Sequence, residues 1–104
     1  IVAGHCGLPF LDEDSDKIWI NPGVIGMPAN DGKPNVWYAI LEASEKPIEV
    51  NFRKLDYNYQ LTNQLMLNGL LPESYAKTIV SGIWDNMEIL PEVEKQLQGK
   101  QILL

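Results

Sequence analysis

Apolar residues fall in short runs over the first half of the chain and at helical spacing over the second. Ile1, Val2 and Ala3 form an unbroken apolar run that reads as a buried strand, after which Gly4 allows a sharp turn and leaves His5 at the strand's end. Residues 11–17 are polar and predict a solvated loop. Asp12, Asp14 and Asp16 alternate there, but a calcium loop would need Gly and Glu where this chain has Lys17 and Gly23. Ile18, Trp19 and Ile20 predict a second strand, stopped at Asn21-Pro22-Gly23, where proline removes a ladder donor and glycine permits a positive φ. Asn30-Asp31-Gly32 marks a turn. Residues 36–41 predict a strand apolar on both faces, which requires cover on both sides. Ile48, Val50 and Phe52 alternate with Glu49, Asn51 and Arg53, the period of a strand buried on one face, and the turn joining these two strands is expected near Ser44, Glu45, Lys46 and Pro47.

From Asp56 the period becomes helical. Asp56 is the expected cap of a helix with Tyr57, Leu61 and Leu65 on one face and a left-handed Gly69 at its end. A second helix is expected from Pro72, burying Ala76, Ile79, Val80 and Ile83, and a shorter third from Pro91, with Val93 and Leu97 inward and a stop at Gly99. The expected class is α+β, with strands over residues 1–55 and helices over 56–99 of a single folding unit.

Composition narrows the functional classes. The formal charge is −6, from 14 acidic and 8 basic residues, and the basic residues are scattered. Tracking nucleic-acid phosphates takes clustered Lys and Arg, so no extended nucleic-acid surface is expected. A phosphate-handling site remains open, because metal ions supply positive charge that side chains do not. No apolar run approaches a membrane span. Cys6 stands alone, which argues against a secreted disulfide scaffold and for a cytoplasmic location. The lack of an initiator Met, and an apolar run at the very start, lead to the expectation that the chain is part of a larger domain.

Three segments carry a family resemblance: Gly4-His5-Cys6-Gly7-Leu8-Pro9-Phe10, Ile20-Asn21-Pro22-Gly23-Val24-Ile25-Gly26-Met27-Pro28 and Val36-Trp37-Tyr38-Ala39-Ile40-Leu41. In order and spacing, together with Phe52-Arg53-Lys54-Leu55-Asp56-Tyr57 and the late helices, they resemble the C-terminal part of a calcineurin-like metallophosphoesterase of the small bacterial and archaeal branch. The resemblance implies the C-terminal half of a four-layer αββα sandwich. It also implies divalent metal ions (Mn, Fe, Zn, Ni or Mg) and hydrolysis of a phosphomonoester or phosphodiester by a metal-activated water.

His5 matches the first histidine of that family's last motif, Gly-His-x-His, so the resemblance implies a metal-ligand role for His5. Gly7 stands where the second histidine would be. In an extended segment His5 and residue 7 would point one way and Cys6 the other, so Cys6 is not expected to substitute, and it reads instead as a small packed hydrophobe. Gly4, Gly7, Asn21, Pro22 and Gly23 are then the structural loops near the site. No residue of this chain is expected to be catalytic, and one histidine without matching carboxylates cannot hold a catalytic metal pair. The expected partners are a phosphate-ester small molecule or nucleotide and the upstream half of the same domain, with a homo-oligomer possible. A non-catalytic binding or regulatory module that kept the fold and lost ligands is the alternative. On its residues alone, a lone histidine beside glycine reads as a hydrogen-bonded structural residue.

Overall fold

The computed structural model describes residues 1–44 and 47–104. Its first sheet is a hairpin in which β1 (Phe10–Asp14) runs antiparallel to β2 (Lys17–Asn21), Leu11 opposite Ile20 and Asp14 opposite Lys17. The two-residue turn between them places Ser15 at φ 54°. The solvated loop expected over residues 11–17 is therefore mostly strand. Its carboxylates do face water, and the backbone ladder to β2 rather than side-chain burial holds β1 in place, while charge along the edge discourages further pairing.

Residues 1–3 lie parallel to β2 along its other edge. Ala3 N–H donates to Ile20 O at 3.0 Å, Ile20 N–H to Ile1 O at 2.9 Å, and the terminal ammonium to Ile18 O at 2.7 Å. This is a single bridge, and Ile1 is 69% exposed and Val2 59%. The expected buried strand is corrected to an exposed bridging segment: edge hydrogen bonds order the backbone but put no layer over the side chains.

The second sheet pairs β3 (Val36–Glu42) with β4 (Glu49–Leu55) antiparallel, from Val36 opposite Leu55 to Glu42 opposite Glu49. The turn expected to join them centres on Glu45 and Lys46, which lie outside the described residues. β3 is covered only at its start. Val36 and Trp37 are buried, whereas Tyr38, Ile40 and Leu41 remain exposed, so the two-sided cover that its composition demands is half supplied.

Three helices follow: α1 (Tyr59–Asn68), α2 (Glu73–Ser81) and α3 (Glu92–Lys95). The cap of α1 is Asn58, not Asp56; its side chain accepts from Leu61 N–H at 3.0 Å, while Asp56 takes a hydrogen bond from Asn35 Nδ2. The face of α1 expected to be buried is also corrected, because Leu61 and Leu65 are exposed. Tyr59, Thr62, Asn63 and Met66 are the half-buried positions, and α1 packs on α2, with Asn63 Nδ2 donating to Ala76 O at 2.7 Å. At its end Gly69 has φ −82°, and Leu70 takes the left-handed position at φ 59°. Leu71 N–H then reaches Met66 O and Leu70 N–H reaches Leu67 O, a Schellman closure with a leucine where glycine is favoured. α2 buries Ala76, Thr78 and Ile79, but Val80 is exposed and Ile83 lies past the helix. α3 is a single turn with Val93 exposed, and Leu97, past its end, is exposed too, again contrary to the expected inward face.

The core is built around a loop. Pro28, Ala29, Asn30 and Asp31 are buried between the sheets' starts and the segment after α2, with Ile20, Val36, Trp37, Ile79 and Trp84. Asn30 organises it: Oδ1 accepts from Trp84 N–H at 2.8 Å and from Gln98 Nε2 at 3.2 Å, and its carbonyl accepts from Gly99 N–H at 2.8 Å. Buried backbone groups far apart in sequence are thereby satisfied. Gly82, left-handed at φ 70°, closes α2 against this loop, and a Cβ there would collide with the Lys33 backbone.

Outside this core the chain is open. Its radius of gyration is 15.1 Å, where a self-contained domain of this length has about 13 Å. Its accessible surface is 7269 Å², against about 5,900 Å² for a folded monomer of this mass.

Gly82→Ala is expected to lower unfolding free energy by roughly 2 to 4 kcal/mol, since it adds left-handed strain and a backbone collision. Leu70→Gly should raise it by about 0.5 to 1 kcal/mol, because an exposed leucine leaves a disfavoured conformation. Urea titration of both variants measures these opposite signs.

Candidate functional site

The segment that follows the bridge to β2 is not extended. His5 is exposed and sits in the left-handed region at φ 77°, a conformation histidine adopts more readily than most residues. The sharp turn expected of Gly4 is thus made by His5, and the alternation expected for residues 5, 6 and 7 does not hold. Among the described residues nothing hydrogen-bonds the His5 imidazole, so the plain structural reading of this histidine finds no partner. Cys6 is exposed rather than packed, at the margin of a groove of about 650 Å³ that Phe10, Leu90, Leu97 and Leu103 also line.

Gly7 is buried, and the reason is steric. A Cβ on it would lie 2.7 Å from Cζ2 of Trp84 and 3.1 Å from Cε of Met27, distances at which the neighbours would have to move. The indole above it is anchored, its Nε1–H donating to Pro28 O at 2.7 Å.

The Asn21-Pro22-Gly23 loop is built by a local side-chain bond. Asn21 is buried and its Oδ1 accepts from Gly23 N–H at 2.9 Å, an Asx turn that puts Gly23 at φ 88°. A Cβ at Gly23 would stand 3.1 Å from Cβ of Trp37 and 3.7 Å from Cβ of Pro9. The structure therefore brings the loop after β2 and the segment after His5 together, on the two tryptophans Trp37 and Trp84.

Asp31, read from sequence only as part of a turn, is a buried carboxylate. Oδ1 accepts from Lys33 N–H at 3.1 Å; Oδ2 has no hydrogen-bond partner among the described residues and lies 4.0 Å from Lys54 Nζ, which sits 4.9 Å from the centre of the Trp37 ring. Nothing in Asn-Asp-Gly distinguishes an exposed turn from a buried one, so no local signal marked it. Two ionisations shift elsewhere. Burial, and then the neighbouring Tyr75 phenol, push the Tyr57 phenol above its usual value. The Lys77 ammonium, hydrogen-bonded one turn along α2, holds the Glu73 carboxyl below its usual range.

Metal binding can be tested against these positions. Among the described residues no three His, Cys, Asp or Glu side chains converge as a metal site would require. The divalent metal that the resemblance implies does not fit this chain's side chains alone: His5 is one exposed imidazole with no second ligating group converging on it among the described residues. Among the described residues no helix is long and apolar enough to cross a membrane.

No protein-family model and no curated protein matches the chain. Among solved structures, the chain is similar to a metallophosphoesterase from Sphaerobacter thermophilus, with a TM-score of 0.69 and 26% identity, over 79% of this chain. The match spans 41% of the length of that protein. The chain is an α+β structure of two antiparallel two-stranded sheets and three helices that has the fold of part of a metallophosphoesterase, consistent with a C-terminal part.

Proposed function

We propose that this chain is one portion of a metal-dependent phosphoesterase that hydrolyses a phosphomonoester or phosphodiester, a small molecule or nucleotide, in the cytoplasm. The observation that carries the reading is the match to a metallophosphoesterase over 79% of this chain and 41% of the other. The site's residues give a division of labour. His5 is the metal-facing group of this portion, exposed and without a hydrogen-bond partner among the described residues, and the Asx turn at Asn21 and Gly23 braces a loop that meets the segment after it at Pro9. The remaining ligands, and the chemistry, belong to the rest of the domain.

The surface supports a missing partner on independent grounds. The excess over a folded monomer of this mass is about 1,400 Å², within the span that one side of an obligate interface buries, roughly 1,000 to 2,500 Å². Ile1, Val2, Ile40 and Leu41 are among the exposed apolar groups. The proposed cover is the upstream half of the same domain, with a second copy of the chain taking that place when the half is missing.

Three outcomes are expected. The 104-residue polypeptide alone turns over no aryl phosphate ester, with or without Mn²⁺; metal-dependent turnover that disappears in His5→Ala would refute the shared site. In the complete protein, His5→Ala lowers bound metal at an unchanged thermal midpoint, whereas Cys6→Ser, at an exposed thiol, leaves metal content unaltered. A complete protein that binds no metal at all would point instead to a module that kept the fold and lost its ligands. The polypeptide alone should also self-associate, and a monomer persisting across a concentration series in sedimentation would count against the missing-partner reading.

A further inference from the structure

We infer that the outward face of α1 is an interface between two copies of this protein, the helices pairing about a two-fold axis near Gln64 and Leu65. Among the described residues α1 packs against α2 and against no other named element. Tyr59, Thr62, Asn63 and Met66 take that side, half-buried, with Asn63 Nδ2 bonded to Ala76 O. At about 3.6 residues per turn, the opposite side carries Gln60, Leu61, Gln64, Leu65 and Asn68, all of them exposed. Leu61 is 49% exposed and Leu65 62%. Positions 61, 64, 65 and 68 follow the i, i+3, i+4, i+7 spacing of a buried helix stripe, yet this stripe points away from α2. A second helix face with that spacing is the form of a helix-pairing seam.

The chemistry of the seam selects a second copy as its occupant. Residues 57–72 contain no Asp, Glu, Lys, Arg or His, although the chain has 14 acidic and 8 basic residues. A chain of net charge −6 repels its own copy wherever carboxylates meet, and this stretch is where two copies can approach without like-charge contact. A partner recognised by charge would find no opposite sign here. A two-fold interface also sets each group near the axis against its own counterpart. Amides suit that arrangement, because Gln64 both donates and accepts and can bond another Gln64, as a carboxylate or an ammonium cannot. Leu70, 92% exposed just past the helix, and Leu71, 49% exposed, extend the apolar surface. Together these leucines and amides offer on the order of 600 Å² per copy and about 1,200 Å² for a pair, the lower end of specific interfaces. The seam lies on a different element from Ile40 and Leu41 of β3, for which the upstream half is the proposed cover.

This inference does not depend on the phosphoesterase reading, and it is tested on the complete protein by sedimentation over a concentration series. A dimer is expected. Leu61→Gln combined with Leu65→Gln should raise the dissociation constant by roughly 100-fold with far-UV circular dichroism unchanged. Gln64→Glu should weaken the dimer by roughly tenfold at low salt and recover at high salt, where the repulsion between the two carboxylates is screened. Gln64→Lys should behave alike. Mixed in equal amounts, the two Gln64 variants should form the heterodimer in preference to either homodimer, a result that requires residue 64 to meet itself. Leu70→Gly should weaken the dimer even though it relieves strain in the dissociated chain. A complete protein that stays monomeric overturns the inference, whether the upstream half covers α1 or leaves it bare. A dimer indifferent to the leucine and Gln64 variants overturns it as well, since the contact then lies elsewhere. A purely statistical yield of the heterodimer overturns the two-fold seam. If the double leucine variant does not fold, the exposed Gln64 pair decides the question by itself.

Discussion

A buried polar hub, Asn30, carries the arrangement of this chain. It sits in a left-handed turn at φ 59° inside the core and bonds Trp84, Gln98 and Gly99, groups more than fifty residues away in sequence. Such a hub is costly unless every polar atom finds a partner, and once satisfied it admits few alternatives. Removing its bonds would loosen the backbone at Trp84, whose indole closes the space at Gly7. The candidate site therefore depends on hydrogen bonds made in the loop behind it as well as on the edge of β2, where Ala3 N–H meets Ile20 O.

The second constraint is the apolar surface the chain leaves uncovered. β3 offers large side chains on both faces but is covered only where Val36 and Trp37 meet the core, and the stripe of α1 at Leu61 and Leu65 faces water. Fully burying one such side chain is worth about 1.5 to 3 kcal/mol, so several left exposed amount to a strong bias toward association. A large radius of gyration, excess surface and a match to 41% of a longer metallophosphoesterase chain agree on the same physical picture.

The second sheet was legible in the residues, β3 from its apolar run and β4 from strict alternation, and so was α2 from its proline start and the spacing of its apolar residues, because each signal is local and has a period. The family likeness was legible for the same reason, since Gly-His and Asn-Pro-Gly are short motifs with a backbone role. Asn21 and Gly23 adopt the bond and the positive φ that their types favour. β1 was not legible, because a strand of Phe-Leu-Asp-Glu-Asp owes its existence to the ladder with β2 and not to its own side chains. The buried faces of α1 and α3 were misread because leucine spacing shows that a stripe exists, and not whether anything within the chain covers it.

What the sequence by itself determined, then, was the type of most elements after β1, the class and the likeness, all properties of neighbours along the chain. Tertiary structure alone decided that His5 rather than Gly4 makes the turn, that Asp31 lies buried with one oxygen unpartnered, and that Gly7 is closed by Trp84. Each of these depends on contact between segments far apart in sequence, and a pattern of local periods carries no information about which distant ring will fill the space above a glycine.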